Sequence, residues 1–308
     1  MPLRVAAVLY ERAVRRRLVR PPQSPTCPVI VVGNLVAGGS GKTPVVTALA
    51  EALERAGFNV SIISRGYGGR ADNLPVAVSA DSIASQVGDE ALELHRRTGR
   101  PVWVCRRRAE ALASACAEGA QVVLSDDGLQ HVALPRSFEI CVIDARRGLG
   151  NGLCLPAGPL RQPVERLETV DMVLVKSGPA SPCNGLPGTP FTLETDELEP
   201  VNGHARPPQR GSEIDAVAGI GDPESFFQAL EQRGFRLRRH PLVDHQPITE
   251  SMLSRLAGPV VMTGKDSMRL ARKHSGRARS DLFFLPARAN LPAEVLQRVV
   301  DHVREFQL

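Results

Sequence analysis

The chain has 308 residues, 43% hydrophobic and 23% charged, which suits one large or two ordinary soluble domains and excludes a disordered or fibrous protein. Its 38 Lys+Arg against 33 Asp+Glu leave +5, and the whole excess lies in residues 1–20, where Arg4, Arg12, Arg15, Arg16, Arg17 and Arg20 meet one acid, Glu11. A neutral body with a basic first segment is not a general nucleic-acid binder, so no nucleic-acid partner is expected. No apolar run approaches the roughly 18 residues of a membrane-spanning helix, and the first residues lack the order of a secretory signal. The six cysteines (27, 105, 116, 141, 154, 183) form no CxxC pair and sit mostly in or beside apolar runs, as small core thiols in a reducing cytosol would.

In chain order, residues 3–20 have helical periodicity: Leu3, Ala6, Ala7, Tyr10, Ala13, Val14 and Leu18 can share one face, with arginines flanking and opposite, and Pro21-Pro22 stops the helix. Apolar strand-like runs then follow at 28–33, 59–64, 101–105, 121–125, 138–143 and 171–175, with helix candidates at 43–57, 86–98 and 107–118. Short continuous apolar strands separated by helices predict a mostly parallel sheet covered on both faces. The stretch 177–212 holds seven prolines and reads as a connector, with 190–195 its one strand candidate. Beyond it the alternation resumes: strand 215–220, helix 223–233, strand 235–240, helix 249–256, strand 259–262, helix 266–273, strand 281–285 and helix 291–305. The expected organisation is an N-terminal interface helix over 1–20, a P-loop domain over 21–176, the connector 177–212 and a smaller α/β domain over 213–308.

The strongest local signal is 28-PVIVVGNLVAGGSGKTPVVTALAEAL-53, an apolar strand, a glycine-rich turn and a helix opened by Gly41-Lys42-Thr43. Glycines 38, 39 and 41 let backbone N–H groups turn inward around phosphate oxygens, and the helix N-terminus adds partial positive charge. Lys42 reaches terminal phosphates and the Thr43 hydroxyl suits Mg²⁺. Val36 stands where the strict pattern asks for Gly. The competing reading, an ordinary glycine-rich turn, is weakened by the scarcity of lysine, four residues against 34 arginines. The second carboxylate that a metal–nucleotide site needs is supplied by 121-QVVLSDDGLQH-131, where Asp126-Asp127 fall at a strand end. On its own, Asp-Asp-Gly there would be a turn.

With these two sites placed, the chain resembles the tetraacyldisaccharide 4′-kinase family, membrane-associated enzymes of lipid A synthesis. The similar segments are 33-GNLVAGGSGKTP-44, 64-SRGYGG-69, 87-VGDE-90, 125-SDDGLQH-131, 143-IDARRGLGNGLCLPAGPLRQP-163, 218-AGIGDPESFF-227, 244-DHQ-246 and 263-TGKD-266, in order across nearly the whole chain. The resemblance implies two α/β domains with a cleft between them, and transfer of the ATP γ-phosphate to an acylated disaccharide phosphate at the cytoplasmic face of the inner membrane. The implied nucleotide set is Asn34, Gly38, Gly39, Ser40, Gly41, Lys42 and Thr43, with Mg²⁺ on Thr43, Asp126 and Asp127. A catalytic acid is implied at Asp89, assisted by His245. Taken alone, Asp89 reads as a helix-start acid and His245 as a loop histidine; a carboxylate that accepts the proton of an attacking hydroxyl gives them a physical role.

Three positions depart from the family pattern: Gln162 replaces a Glu after Leu-Arg, Gln246 replaces a histidine, and Gly264 replaces a Glu before Lys-Asp. Arginines in 64-SRGYGGR-70 and 105-CRRRAE-110 are candidates for the substrate's anomeric phosphate. The N-terminal helix fits an interfacial anchor on anionic lipid. Two other readings compete: a partition-type ATPase switch, whose signature Lys is absent at Ala37, and a cytosolic kinase of a soluble metabolite.

Overall fold

A computed structural model describes residues 2–18, 24–70, 74–178, 183, 185–202, 205–243, 246, 248–270 and 279–306. The chain opens with α1 (Pro2–Leu18). Its Ala7 is buried and Tyr10, Val14 and Leu18 are half-buried, so one stripe at helical spacing docks, while Ala6, Ala13 and Leu3 of the expected face lie exposed. The Tyr10 hydroxyl donates to the Arg161 carbonyl at 3.0 Å, and Arg15 pairs with Glu165 at 2.9 Å.

The apolar runs become β1 (Val29–Gly33), α2 (Lys42–Arg55), β2 (Val60–Ser64), β3 (Val76–Ala77), α3 (Ala84–Val87), α4 (Asp89–Thr98), β4 (Val102–Val104), α5 (Arg108–Ala117), β5 (Val122–Asp126), β6 (Phe138–Asp144), β7 (Met172–Lys176) and β8 (Thr189–Thr195). The second half supplies β9 (Glu199–Pro200), β10 (Glu213–Ala218), α6 (Pro223–Gln232), β11 (Arg236–Pro241), α7 (Glu250–Leu253), β12 (Val260–Thr263), α8 (Gly264–Leu270), β13 (Leu282–Leu285), β14 (Ala287–Asn290) and α9 (Ala293–Phe306). Among the described residues the larger sheet runs β14-β8-β7-β6-β1-β5-β2-β4-β3, parallel except for β3 and β14 at its edges. The smaller runs β11-β10-β12-β13-β9, with β9 antiparallel. Both faces of the larger sheet are packed: Ile30 and Val32 share a core with α2 and α9 on one side, and Val29 and Val31 share a core with α5 on the other. That two-sided burial is why the strands carry no polar alternation.

The expected mostly parallel α/β sheet is present, and three local expectations need correction. The helix expected over 86–98 is broken at Gly88, whose φ of +87° starts α4 at Asp89. A Cβ at Gly88 would lie 2.6 Å from the Tyr67 carbonyl oxygen, so the turn after β2 packs directly on this backbone. The proline-rich stretch is not only a connector, because β8 pairs with β7 and extends the larger sheet. The last two elements of 213–308 also return to that sheet. β14 pairs antiparallel with β8, covering an edge that would otherwise expose unpaired N–H and C=O groups, and α9 buries Val295, Val299, Val300 and Val303 in the core shared with α2. No described helix is long and apolar enough to cross a membrane.

Candidate active site

The phosphate loop leaves the carboxyl end of the fully buried β1, between β6 and β5 at the centre of the sheet. Sheet order reverses there, which opens a crevice for a ligand. Gly38 and Gly41 hold φ of +107° and +88°, conformations that side chains resist, and the second leads straight into Lys42 at the start of α2. The Asn34 amide braces the loop from inside, donating to the carbonyls of Val36 (2.6 Å) and Gly38 (3.0 Å). Val36 forms a bridge with Leu160, and the Ala37 N–H donates to Pro159 O at 2.9 Å. The residue that breaks the strict glycine pattern therefore anchors the loop to the PAGPLR segment. Ser40 and Thr43 are buried beside Lys42, and the Ser40 hydroxyl has no protein partner.

Parallel pairing sets Val32 opposite Asp126, so the Asp-Asp pair stands next to the start of the loop. Gly128 locks the turn behind it: a Cβ there would lie 2.6 Å from Ser125 Oγ and 2.7 Å from Val31 Cγ1. Gln130 then donates to Asn34 O at 2.7 Å, tying the two motifs together. Asp127 has φ +49° and accepts from Arg161 at 3.1 Å, with Lys42 Nζ 3.4 Å away. Burial would raise its pKa, but Lys42, Arg161 and Arg108 outweigh burial and hold it below the usual carboxylate range. Asp126 differs. It is 1% exposed, its Oδ1 has no protein partner, and burial followed by the charge of Glu90 pushes its pKa up to about 7.

Two adjacent carboxylates are thus set to different tasks. Asp127 is ion-paired to Lys42 and Arg161, whereas Asp126 is buried with Oδ1 unpartnered, and the nearby charges of Lys42 and Arg108 do not outweigh its burial. No group of three or more His, Cys, Asp or Glu with metal-binding geometry occurs among the described residues. One orphaned carboxylate oxygen beside a phosphate loop and the Thr43 hydroxyl fits Mg²⁺, which keeps waters and takes its other ligands from phosphates. Gln162 is 2% exposed, donates to Leu129 O at 3.2 Å and leaves Oε1 unpartnered.

Asp89 opens α4 and is buried, beside the turn formed by 64-SRGYGG-69. Its Oδ1 accepts from the Glu90 N–H at 3.1 Å, and its Oδ2 is paired with Arg269 of α8. Glu90 pairs with Lys265 at 2.5 Å, so α4 meets the second sheet's helix through two ion pairs. Asp244 and His245 lie outside the described residues. The structure thus brings Asn34, Gly38, Gly39, Ser40, Gly41, Lys42, Thr43, Asp126 and Asp127 together around one loop. Asp89 enters from the same side, its neighbour Glu90 close enough to act on Asp126.

Sequence reasoning gave no role to Arg161 and read Arg108, within 105-CRRRAE-110, as a candidate for the substrate's anomeric phosphate. Arg108 is in fact 2% exposed and donates to Ser125 Oγ at 3.1 Å, directly behind the Asp pair. Only its place as the last Arg of a run at a helix start hinted at inward orientation. Arg147, beside the loop, is close enough that a Cβ on Gly38 would lie 2.3 Å from its Nη1.

A family model described as LpxK, Tetraacyldisaccharide-1-P 4'-kinase, matches residues 1–304. The chain is similar to a tetraacyldisaccharide 4'-kinase of Alkalilimnicola ehrlichii, 45% identical over 93% of this chain and 87% of the relative. The enzyme of the same name from Alcanivorax borkumensis is 42% identical over 98% and 92%. Among solved structures, LpxK from Aquifex aeolicus in complex with ATP superposes with a TM-score of 0.76 at 24% identity, covering 96% of each chain. That likeness establishes the shared fold.

Proposed function

The chain belongs to the tetraacyldisaccharide-1-P 4'-kinase family and is a lipid A 4'-kinase, and on that premise we propose how its residues divide the work. The reaction moves the γ-phosphate of ATP to the 4'-hydroxyl of a tetraacyldisaccharide 1-phosphate. The phosphate loop cradles the polyphosphate through the backbone N–H groups around Gly38–Gly41, with Lys42 against its terminal charge. Lys42 is held ready by Asp127, 3.4 Å away, a carboxylate that Lys42 shares with Arg161. Asp126 and Thr43 would hold Mg²⁺, whose charge, when bound, offsets that on the phosphate oxygens. Asp127 contributes to the metal side chiefly by ordering Lys42.

Asp89 acts as the base for the acceptor hydroxyl, with His245 assisting. The break at Gly88 supports this reading, because it puts the Asp89 carboxylate at a helix start beside the glycine-rich turn. The observation that carries the reading is the contrast between Asp126, whose Oδ1 is unpartnered at the loop, and Asp89, ion-paired to the second sheet's helix. One carboxylate then serves the nucleotide and the other the nucleophile.

The substrate is a lipid, and α1 supplies the means to meet it where it lies. Leu3, Val5, Val8 and Leu9 are 50–63% exposed, a density of apolar side chains that a water-facing helix does not need. Arg16 and Arg17 follow in the last turn and suit anionic headgroups at the cytoplasmic face of the inner membrane, while Arg15 is engaged by Glu165. The protein is peripheral on this reading.

The test is transfer of γ-labelled phosphate to an acylated disaccharide 1-phosphate, with a soluble sugar as control acceptor. Asp89→Asn should lower turnover by about 10²–10⁴-fold with ATP affinity retained. Loss of ATP affinity at unchanged turnover would make Asp89 a nucleotide ligand instead.

A further inference from the structure

Asp89 is held from the other sheet by a chain of contacts that the phosphate-loop chemistry does not explain. It begins at the end of β10, where the Gly219 N–H donates to Asp266 Oδ2 at 3.0 Å. The Thr263 hydroxyl, at the end of β12, donates to the same oxygen at 2.6 Å. Asp266 is wholly buried, and its second oxygen accepts from Arg269 Nη1 at 3.2 Å, one turn further along α8. The same guanidinium then reaches across to α4: Nε donates to Asp89 Oδ2 at 3.0 Å and Nη2 to the same oxygen at 2.5 Å. The side chains of Arg269 and Asp89 are 14% and 6% exposed, so this is an enclosed pair and not a screened surface contact.

The two carboxylate oxygens of Asp89 are treated differently. Oδ2 takes the cation. Oδ1 accepts from the N–H of its own helix and faces the turn of 64-SRGYGG-69, 4.0 Å from where a Cβ on Gly68 would stand. A planar guanidinium that is itself clamped by a buried carboxylate cannot follow a rotating partner. With both donors on Oδ2 it fixes that oxygen, and the Glu90 N–H on Oδ1 completes the orientation of the carboxylate. A second tie, Lys265 to Glu90, joins the same two helices independently, so Arg269 is not needed to dock α8 on α4.

We propose that Arg269 is a positioning residue for the phosphoryl transfer. It pins Asp89 through Oδ2, so that Oδ1 is presented to the acceptor hydroxyl, and it makes that geometry depend on α8 of the second sheet being seated against α4. The proposal rests on Asp89 acting as the base. Its distinctive consequence is that Arg269 works only through Asp89 and touches neither the nucleotide nor the lipid.

The experiment is a double-mutant cycle in the full-length protein, with ATP and acylated disaccharide 1-phosphate, using Arg269→Gln, Arg269→Lys and Asp89→Asn. Arg269→Gln should lower kcat about 10–100-fold, the scale expected for a misplaced catalytic group, with KM for ATP changed less than twofold. Arg269→Lys keeps the charge without the fork and should fall between that variant and wild type. It also keeps the test open if the Gln variant folds poorly. In the Asp89→Asn background, adding Arg269→Gln should cost nothing further in kcat. An equal fold-loss in both backgrounds would show that Arg269 acts independently of Asp89 and would overturn the proposal. So would a raised KM for ATP at unchanged kcat. Undiminished turnover by Asp89→Asn alone would overturn the base reading itself, and the proposal with it, an outcome distinct from the other two.

Discussion

Asp126→Asn should make the metal-free protein more stable while removing its activity. The native pKa of Asp126 is pushed from 3.8 up to about 7 by burial and by Glu90, and Oδ1 has no protein partner. Between those two values the native state binds the proton more tightly than the unfolded chain does. The contribution of this group to stability is therefore greatest below about pH 4, falls as pH rises through the window from about 4 to 7, and carries its full cost above it. At about 1.4 kcal/mol per pKa unit, that cost is on the order of a few kcal/mol. Asn cannot ionise and escapes it, but its amide is also short of partners, at a cost of roughly 1 kcal/mol or more. A net gain of about 2 kcal/mol at pH 8 remains, equivalent to a rise of roughly 3 °C in Tm for a chain of 308 residues. Thermal melts in chelator at pH 4.5 and pH 8 measure it, and the gain should be small at the lower pH. Turnover at saturating Mg²⁺ should fall by at least about 10²-fold, as expected when an electrostatic element of the transition state is removed. A variant less stable than wild type at pH 8, or a Tm difference independent of pH, would refute the assignment of Asp126 as a carboxylate kept unpaired for a cation.

Lys42→Ala should abolish phosphoryl transfer and shift Tm by no more than a few degrees, because Lys42 is outside the core and Asp127 keeps Arg161 as a partner; wild-type turnover would remove the loop from the mechanism. Gln162→Glu should destabilise the protein by about 1–3 kcal/mol, since the donated bond to Leu129 O becomes a contact between two acceptors. In the same variant the Mg²⁺ concentration for half-maximal rate should change less than about threefold if Asp126 already holds the metal. A large drop in that concentration would place residue 162 at the metal.

The parts of the site that were legible in the sequence are those whose chemistry is local. Glycines 38 and 41 are demanded by their own backbone angles, Lys42 by the helix end beside it, and Asp126 by a strand that must stop where its apolar run stops. Gly88 is local too but gave no warning, because one glycine inside a helical pattern looks the same whether it breaks the helix or is tolerated. Its reason lies in the Tyr67 carbonyl, across a turn. The partners of the carboxylates were illegible for a stronger reason. Arg161 is 34 residues from Asp127 and Arg269 is 180 from Asp89, and no periodicity reports a pairing over such distances. The return of β14 and α9 to the larger sheet was hidden likewise: an amphipathic helix announces that it has a face to bury, not which sheet will bury it.

The membrane assignment of α1 can be tested without cutting the helix away, and the structure shows why it should be. Tyr10 and Arg15 hold α1 to Arg161 and Glu165, in the segment that also braces the phosphate loop, so deleting residues 1–20 would perturb the active site as well as any lipid contact. Val5→Asp with Leu9→Asp is cleaner, because those side chains are 63% and 61% exposed and touch no core. Burying each in an acyl layer is worth roughly 1.5–3 kcal/mol, and each arginine near an anionic surface about 1 kcal/mol more. The double variant should lose roughly 10–150-fold in partitioning to anionic vesicles, taking half of the apolar term as realised. Its Tm and its ATP affinity should stay at wild-type values, while turnover on the long-chain acceptor falls. Arg16→Gln with Arg17→Gln should weaken binding to anionic but not to neutral vesicles, and less so as salt rises, because a surface charge is screened over about 8 Å at physiological ionic strength. Flotation of the three proteins with both vesicle types decides the matter. Equal flotation of wild type and the double aspartate variant would remove α1 from the interface and leave its exposed leucines and valines without a lipid to meet.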